Sequence, residues 1–222
     1  MAERILFLNP NSSVSCTEGI VAAIAPFQAP GLPRLDVQRL EDGPPAIVTW
    51  RDWFAVAEPL CRAVEREPAA AYVIACVSDP GLEAVRTVTD RPVLGMFRCG
   101  VAAAMTRAER FGVIGFTARS LPRHRRILAA MGVEARLAAW EPLDLPMEVL
   151  TDPVAPQPRI AAAARRLAEQ GAEVILLGCA GMATHAALVA DETGLPVIEP
   201  CQAAASAALL AVLGARLPAM SA

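Results

Sequence analysis

Two cysteines, one in each half of the chain, stand in the same local pattern. Cys76 ends the apolar run of A-Y-V-I-A-C-V-S-D-P-G-L, and Cys179 ends that of V-I-L-L-G-C-A-G-M. A short apolar run that stops at a turn of small residues indicates a buried parallel strand, and each is followed by a helix-like stretch. We therefore predict both thiols at carboxyl ends of strands, where ligands bind in open α/β sheets and where a helix N-terminus favours a thiolate.

Thiols at matching strand ends could face each other across one cleft. One thiolate would remove a proton from a carbon next to a carbonyl, and the opposite thiol would return a proton to the other face. The product is the mirror-image stereocentre. Such a site must stabilise an enolate with hydrogen-bond donors. It requires no metal and no cofactor, and we predict neither.

The other cysteines are interpreted as packing residues, because buried cysteine is a common small hydrophobe. They are Cys16, Cys61, Cys99 and Cys201. The chain has no C-x-x-C pair and only two histidines, His124 and His185, so neither a zinc site nor a disulfide framework is indicated. We expect His185 to be a surface or satisfied core histidine.

The elements around the cysteines repeat. Each half contains a strand, a hydroxyl-rich turn, a helix, a second strand, a cysteine turn, a helix and a Pro-Val strand. Alternating strands and helices imply parallel sheets with right-handed crossovers. We predict an α/β fold of two pseudo-symmetric lobes, each a short parallel sheet flanked by helices, with the active site between the lobes.

The predicted lobe boundaries follow from this repeat. Residues 1–97 form the first lobe, completed by a C-terminal helix at 203–222, and residues 98–202 form the second. Within them, residues 50–65 are expected to form one helix and residues 134–139 a strand. The proline-rich residues 141–158 are expected to form an irregular connection.

Turn residues at the predicted strand ends supply candidate substrate contacts, through side chains or backbone N–H groups. They are Asn11, Ser12, Ser78, Asp79, Thr117, Ala180, Gly181 and Met182. Each is equally suited to capping a helix, and their convergence on one cleft is what favours a binding role. Three roles for Asp79 are compatible with the sequence: contact with the substrate, capping of its helix and orientation of Cys76. Two positions for Arg98 are equally compatible with the sequence: near the cleft, where it would attract an anion, or in solvent.

Composition excludes several classes of protein. The 222 residues are 55% hydrophobic with a net charge of −3. The hydrophobic fraction is sufficient for a core. Acidic and basic residues are mixed along the chain, so no basic patch for nucleic acid or an anionic membrane is indicated. No apolar run approaches the roughly 18 residues of a membrane helix, and the N-terminus lacks a signal-peptide core. We expect a cytoplasmic protein with a small-molecule substrate and with neither nucleic acid nor membrane as partner.

Four motifs together resemble the hydantoin racemase branch of the aspartate/glutamate racemase superfamily. They are L-N-P-N-S-S, Y-V-I-A-C-V-S-D-P-G-L, V-I-G-F-T-A-R-S-L-P and L-G-C-A-G-M. The resemblance implies an interlobe site with Cys76 and Cys179 as a cofactor-independent acid/base pair, and it implies a homo-oligomer. It favours a racemase or epimerase acting on a 5-substituted hydantoin or related cyclic ureide.

Other branches fit the motifs less well. Glutamate and aspartate racemases usually carry a C-T-H-type turn where this chain has C-A-G-M, and arylmalonate decarboxylase-like members keep only the second cysteine. Maleate isomerase-like members keep both. Hydantoin racemases tend to have an acidic residue in a C-E-A-like stretch, whereas this chain reads G-M-F-R-C-G through Arg98 and Cys99. An amino-acid racemase, a maleate isomerase-like enzyme and a non-catalytic ligand-binding protein therefore stay as alternatives.

A thiol redox enzyme is the least favoured alternative. It would require a disulfide between Cys76 and Cys179, and the chain lacks the C-x-x-C motif of such enzymes. Alkylation distinguishes a catalytic site from a non-catalytic binding site. Catalytic cysteines should alkylate faster than buried ones, and a substrate analogue should protect both cysteines together.

Overall fold

The chain forms two four-stranded parallel sheets, in a computed structural model that describes residues 3–215. The first sheet, in the order β2-β1-β3-β4, consists of β1 (Arg4–Asn9), β2 (Arg34–Arg39), β3 (Ala71–Ile74) and β4 (Val93–Gly95). The second, in the order β6-β5-β7-β8, consists of β5 (Phe111–Gly115), β6 (Leu137–Pro142), β7 (Val174–Gly178) and β8 (Val197–Ile198). The predicted two-lobe α/β fold is confirmed.

Ten α-helices flank these sheets within residues 3–215. They are α1 (Val14–Ile24), α2 (Trp50–Ala55), α3 (Ala57–Arg66), α4 (Leu82–Val85), α5 (Met96–Met105), α6 (Leu121–Ala130), α7 (Met147–Leu150), α8 (Gln157–Glu169), α9 (Ala186–Thr193) and α10 (Pro200–Gly214). Short 3₁₀ helices occupy residues 25–27, 118–120, 134–136 and 180–185. None of the helices in this part of the chain is both long and apolar enough to cross a membrane.

The strands that lead to the cysteines are buried on both faces. Every residue of β3 and of β7 is buried, as expected for strands covered by helices on both sides. β3 pairs with β1 so that Ile74 lies beside Leu8, and β7 pairs with β5 so that Gly178 lies beside Gly115. Because all pairs are parallel, the turns that follow these strands leave the sheets at the same edge.

One apolar core runs through both lobes. It joins Val73 of β3 to Leu176 of β7 through Phe97 on α5 and Ala205 on α10. Helix α10 packs against α1, α5 and β3, and α5 packs against α10 and β7. The lobe boundary at residues 97 and 98 stays a prediction. Residues 1–2 and 216–222, which were assigned to the first lobe, lie outside the described residues.

The expected helix over residues 50–65 is divided in two. Helix α2 ends at Ala55 and α3 begins at Ala57, with Val56 as the shared cap. A continuous helix would require Pro59 to donate to the carbonyl of Ala55, but proline has no N–H and its ring clashes with that carbonyl. The break therefore follows from Pro59.

Two expectations in the second lobe are corrected. Residues 134–136 form a 3₁₀ turn rather than the start of a strand, and β6 extends instead to Pro142. Proline is tolerated there because β6 is an edge strand. The segment 141–158 is also less irregular than expected, since it contains α7 and the start of α8.

Gly178 offers a test of how tightly β7 approaches β5. A Cβ atom at Gly178 would lie 2.4 Å from the carbonyl oxygen of Ile114, which is backbone and cannot swing aside. We expect Gly178→Ala to lower the free energy of unfolding by about 3 kcal/mol through overpacking. Urea denaturation measures the change.

Gly214 provides the matched control, because a Cβ there meets no atom within 4 Å and the residue lies in a helix. Gly214→Ala should raise the free energy of unfolding by about 0.5–1 kcal/mol. Equal effects of the two substitutions would contradict the close approach of β7 to β5.

Candidate active site

The two predicted cysteines line one small cavity of about 40 Å³. Cys179 directly follows β7, and Cys76 follows β3 after one intervening residue. Both side chains are partly exposed, whereas Cys16, Cys61 and Cys201 are buried. This volume is well below the roughly 300–1,000 Å³ of small-ligand sites, so the cavity is nearly closed around the two thiols. The structure therefore brings together the two thiols on which the sequence analysis focused.

The turns around the two cysteines share one backbone hydrogen bond. The N–H of Asp79 donates to the carbonyl of Cys76 at 3.0 Å, and the N–H of Met182 donates to the carbonyl of Cys179 at 3.0 Å. In each turn the backbone N–H two positions after the cysteine, of Ser78 or of Gly181, lies close enough to the sulfur to lower the pKa of the thiol. The two lobes thus present their thiols through turns closed by the same hydrogen bond, although Asp79 has a positive φ and Cys179 is the N-cap of a 3₁₀ helix.

Further contacts hold the Cys76 turn in place. The hydroxyl of Ser78 lies 3.5 Å from the Cys76 sulfur, and the indole N–H of Trp53 donates to the carbonyl of Ser78 at 2.8 Å. Helix α2, which carries Trp53, is thereby attached to the turn. An aromatic residue that the sequence places on a helix face acts here as a support for the site.

Both thiols are neutral in this structure. Burial raises the pKa of Cys76 to about 11, and burial raises the pKa of Cys179 well above the usual thiol value. The N–H donors oppose this but are outweighed. The expectation that a helix N-terminus favours the thiolate is wrong here. Helix α4 has only four residues and begins at Leu82, and Cys179 is followed by a 3₁₀ helix.

Three of the predicted substrate-binding residues lie on the cavity wall: Asn11, Ser78 and Ala180. The carboxamide oxygen of Asn11 accepts from the N–H of Ser13 at 2.9 Å and from the Asn9 side chain at 3.1 Å. These bonds fix the amide in one orientation. Its nitrogen lies 3.8 Å from the Cys16 sulfur.

The other five predicted contacts do not line the cavity: Ser12, Asp79, Thr117, Gly181 and Met182. The Thr117 hydroxyl instead donates to Asp144 at 2.9 Å, and the side chain of Met182 is buried in the core of the second lobe. The N–H of Ser12 donates to the carbonyl of Pro44 at 3.0 Å. These residues shape the turns rather than the cavity surface.

Three polar residues on the cavity wall were missed by sequence reasoning or assigned to packing: Cys16, Arg123 and His124. Arg123 and His124 stand in the basic stretch R-H-R-R of α6, which is typical of a solvated face. A signal was present, because both precede the buried Ile127 and Leu128 by one helical turn. Cys16 is 2% exposed and belongs to the common core as well.

His124 supports the Cys76 turn from behind. Its Nε2 faces the carbonyl of Val77 and its Nδ1 lies 2.8 Å from the carbonyl of Ser120. Burial lowers the pKa of His124 to about 4, so the ring is neutral and its one N–H donates to one of the two carbonyls. Phe97 and Trp140 pack against the ring.

The sequence and the fold agree with those of known racemases. The sequence profile of the Asp/Glu/Hydantoin racemase family matches residues 5–208. The hydantoin racemase of Paenarthrobacter aurescens is 35% identical over 209 residues, which are 90% of this chain and 87% of that protein. The chain belongs to the Asp/Glu/hydantoin racemase family.

Solved structures support the same assignment. Allantoin racemase from Klebsiella pneumoniae superposes with a TM-score of 0.84 at 32% identity, over 96% of this chain and 89% of that one. Allantoin racemase from Pseudomonas fluorescens gives a TM-score of 0.85 at 27% identity, over 95% of this chain and 92% of that one. The protein is thus an isomerase of the racemase type.

Asp79 caps a helix of the racemase instead of facing the cavity. Its buried carboxylate accepts from the N–H of Phe97 at 2.7 Å and from the N–H of Arg98 at 3.1 Å, at the N-terminus of α5. The Arg98 side chain also donates to it at 3.0 Å. Burial raises the pKa of Asp79 to about 6, so the carboxylate is largely ionised at neutral pH. Gly95 leaves room for it, since a Cβ there would lie 2.4 Å from the carboxyl group.

Three other residues considered in the sequence analysis lie away from the cavity. Arg98 pairs with Asp79 and, at 2.7 Å, with Glu83. Cys99 does not line the cavity, and burial raises its pKa to about 12. His185 is buried rather than on the surface, and its Nε2 has no partner among residues 3–215. Within the same residues, no group of His, Cys, Asp and Glu side chains is arranged to hold a metal ion.

The capping role of Asp79 predicts a large loss of stability on substitution. Asp79→Ala should lower the free energy of unfolding by about 3 kcal/mol, because buried N–H donors lose a charged acceptor. Asp144→Ala is the matched control, since Asp144 also has a positive φ and caps a turn but is exposed. It should cost about 1 kcal/mol. Chemical denaturation compares the two, and equal losses would refute the buried cap.

The raised pKa of Cys76 predicts the pH dependence of its alkylation. Only the thiolate reacts, so the iodoacetamide rate should rise about tenfold per pH unit from neutral pH up to about pH 10. Peptide mapping by mass spectrometry follows Cys76. The same peptide in urea is the control, and its rate should level off near pH 9 as for an ordinary thiol. Levelling off near neutral pH in the folded protein would contradict a desolvated thiol.

Proposed function

We propose that this racemase inverts the stereocentre α to the carbonyl of a 5-substituted hydantoin or related cyclic ureide, with Cys76 and Cys179 as the acid/base pair. The observation that carries the proposal is the pair of equivalent thiols at the ends of β3 and β7 on the wall of one cavity. The substrate class is supported by the similarity to hydantoin and allantoin racemases. Allantoin is itself a 5-substituted hydantoin.

The proposed reaction consists of two proton transfers. The thiolate of one cysteine removes the proton from the α-carbon and becomes a thiol, while the electron pair of the C–H bond moves into an enolate. The thiol of the other cysteine then gives its proton to the opposite face of that carbon and becomes the thiolate. The substrate is inverted with no net gain or loss of protons, and the roles of the two cysteines are exchanged for the next turnover.

Burial of the thiols affects this chemistry in two ways. A higher pKa makes each thiolate a stronger base toward a weakly acidic C–H bond. It also reduces the fraction of enzyme that carries a thiolate at neutral pH. Substrate that displaces water from the cavity strengthens the hydrogen bonds from Ser78 and Gly181 to the sulfurs, because those bonds then act in a lower dielectric.

The remaining parts of the proposal concern the setting of the enzyme. We propose that it works without a metal or other cofactor, as a homo-oligomer in the cytoplasm, on a small molecule alone. Mass measurement in solution tests the oligomer, and full activity after exhaustive treatment with a chelator tests the absence of a metal.

Cysteine substitution tests the two-base reaction. With either enantiomer of a 5-substituted hydantoin in D₂O, Cys76→Ser and Cys179→Ser should each lower racemisation at least about 10³-fold, since a hydroxyl is a far weaker acid than a thiol. Proton NMR and chiral chromatography follow exchange and inversion together. We expect each variant to keep slow deuterium exchange of one enantiomer, with retention of configuration.

The control variant is Cys99→Ser, which removes a partly exposed thiol outside the cavity. It should racemise like the wild type. Unchanged racemisation by both Cys76→Ser and Cys179→Ser would overturn the two-cysteine reaction. Exchange by neither the wild type nor any variant would overturn the substrate class.

A further inference from the structure

Arg123 is a buried cation on the wall of the cavity that holds both thiols. Its side chain is 1% exposed. Its Nη1 and Nη2 each reach one carbonyl oxygen, of Arg119 and of Ile47, at 3.4 Å, which is at the long end for a hydrogen bond. Its Nε is buried with no partner among residues 3–215. A guanidinium has five N–H donors, so most of its capacity is unused.

The charge of Arg123 is also incompletely balanced. No carboxylate within residues 3–215 forms an ion pair with it. Cys76, whose thiol is neutral, and Asp52 interact with it electrostatically only at longer range, and the carboxylate of Asp52 already accepts from the N–H groups of Val48 and Thr49. The ring of Trp50, 5.7 Å from the guanidinium carbon, offers a cation–π contact.

The rest of the cavity wall is neutral. The other groups that could carry charge there are the thiols of Cys16, Cys76 and Cys179, whose pKa values are raised by burial, and the imidazole of His124, whose pKa is lowered. Arg123 is therefore the one charged side chain on the wall, among the residues that the structure describes. An arginine keeps its proton even when buried, so the cavity has a positive potential.

Packing alone does not account for an arginine at this position. A buried charge without a partner costs several kcal/mol, and an apolar side chain of similar size would fill the space without that cost. A planar fork of free N–H donors matches the two oxygens of a carboxylate. A ligand that brings a carboxylate into the cavity would supply both the hydrogen bonds and the charge that Arg123 lacks.

We propose that the substrate of this enzyme is an anion whose carboxylate is bound by Arg123 while its α-carbon lies between Cys76 and Cys179. The proposal rests on the racemase reaction proposed above and narrows its substrate to a ureide with an acidic side group. Arg123 is then a specificity-determining residue. Neutral ureides leave its charge unpaired and are poor substrates.

A matched pair of substrates tests this specificity. 5-(2-carboxyethyl)hydantoin and 5-(2-carbamoylethyl)hydantoin have nearly the same shape and differ by one negative charge. The wild type should prefer the carboxylate in kcat/KM by about 10- to 100-fold, the range expected for hydrogen bonds to a charged group. Arg123→Met should abolish the preference, and Arg123→Lys, which keeps the charge without the fork, should retain part of it.

Arg126→Met is the control variant, because Arg126 lies on the same helix but is exposed and does not line the cavity. It changes the net charge by the same amount and should keep the wild-type preference. Arg123→Met should fold, with a melting temperature equal to or above that of the wild type, since it removes an unpaired buried charge.

Two results would overturn the proposal. One is equal kcat/KM for the two hydantoins in the wild type. The other is a preference that survives in Arg123→Met while both activities fall together, which would assign Arg123 to the enolate oxygen common to both substrates. If neither compound is racemised, the proposed function fails, and alkylation of Cys76 and Cys179 then tests the anion site by itself. The carboxylate should protect both thiols at concentrations about tenfold lower than the amide does, and equal protection would overturn the site.

Discussion

In each lobe the first strand pairs in parallel with the strand that leads to the cysteine. β1 lies beside β3 and β5 beside β7, and every residue of β3 and β7 is buried. Parallel pairing sends the turns that follow these strands to the same edge of the sheet. The β5–β7 pair is so close that Gly178 has no room for a Cβ beside Ile114. The position of Cys179, and therefore the distance between the two thiols, depends on this contact.

Desolvation dominates the chemistry of the cavity that these turns enclose. It raises the pKa of Cys76 and Cys179 more than the N–H groups of Ser78 and Gly181 lower it. The cavity is thus lined by neutral thiols and a neutral His124, with the buried charge of Arg123 beside them. A low dielectric strengthens every electrostatic interaction with a bound substrate. The exclusion of water therefore keeps the thiols protonated and strengthens the field of the one buried charge beside them.

Two arginines near the site have opposite environments. Arg98 is paired with Asp79 and Glu83, and its backbone N–H is part of the helix cap that holds α5. The charge of Arg98 is therefore balanced by carboxylates of the protein itself. Arg123 is more deeply buried, yet its donors are largely free and no carboxylate pairs with it among the described residues. Of the two, Arg123 is the cation on the cavity wall, whereas the sequence left Arg98 open between the cleft and solvent.

The sequence by itself determined the strands that lead to the cysteines, the two-lobe repeat and the two cysteine turns. These depend on local patterns: uninterrupted apolar runs such as V-I-L-L-G, and the small residues that end them. It also contained the break between α2 and α3, because Pro59 cannot continue a helix, although the helical spacing of the apolar residues obscured it.

Only the tertiary structure decided which polar groups face the cavity. The Asp79 carboxylate faces α5 and accepts from the buried N–H of Phe97. The Thr117 hydroxyl donates to the exposed carboxylate of Asp144. Arg123 and His124 face the interior because they lie on the same face of α6 as the buried residues Ile127 and Leu128. The ionisation state of the thiols was likewise set by burial. Burial and hydrogen-bond partners come from residues distant in sequence, so no local pattern encodes them.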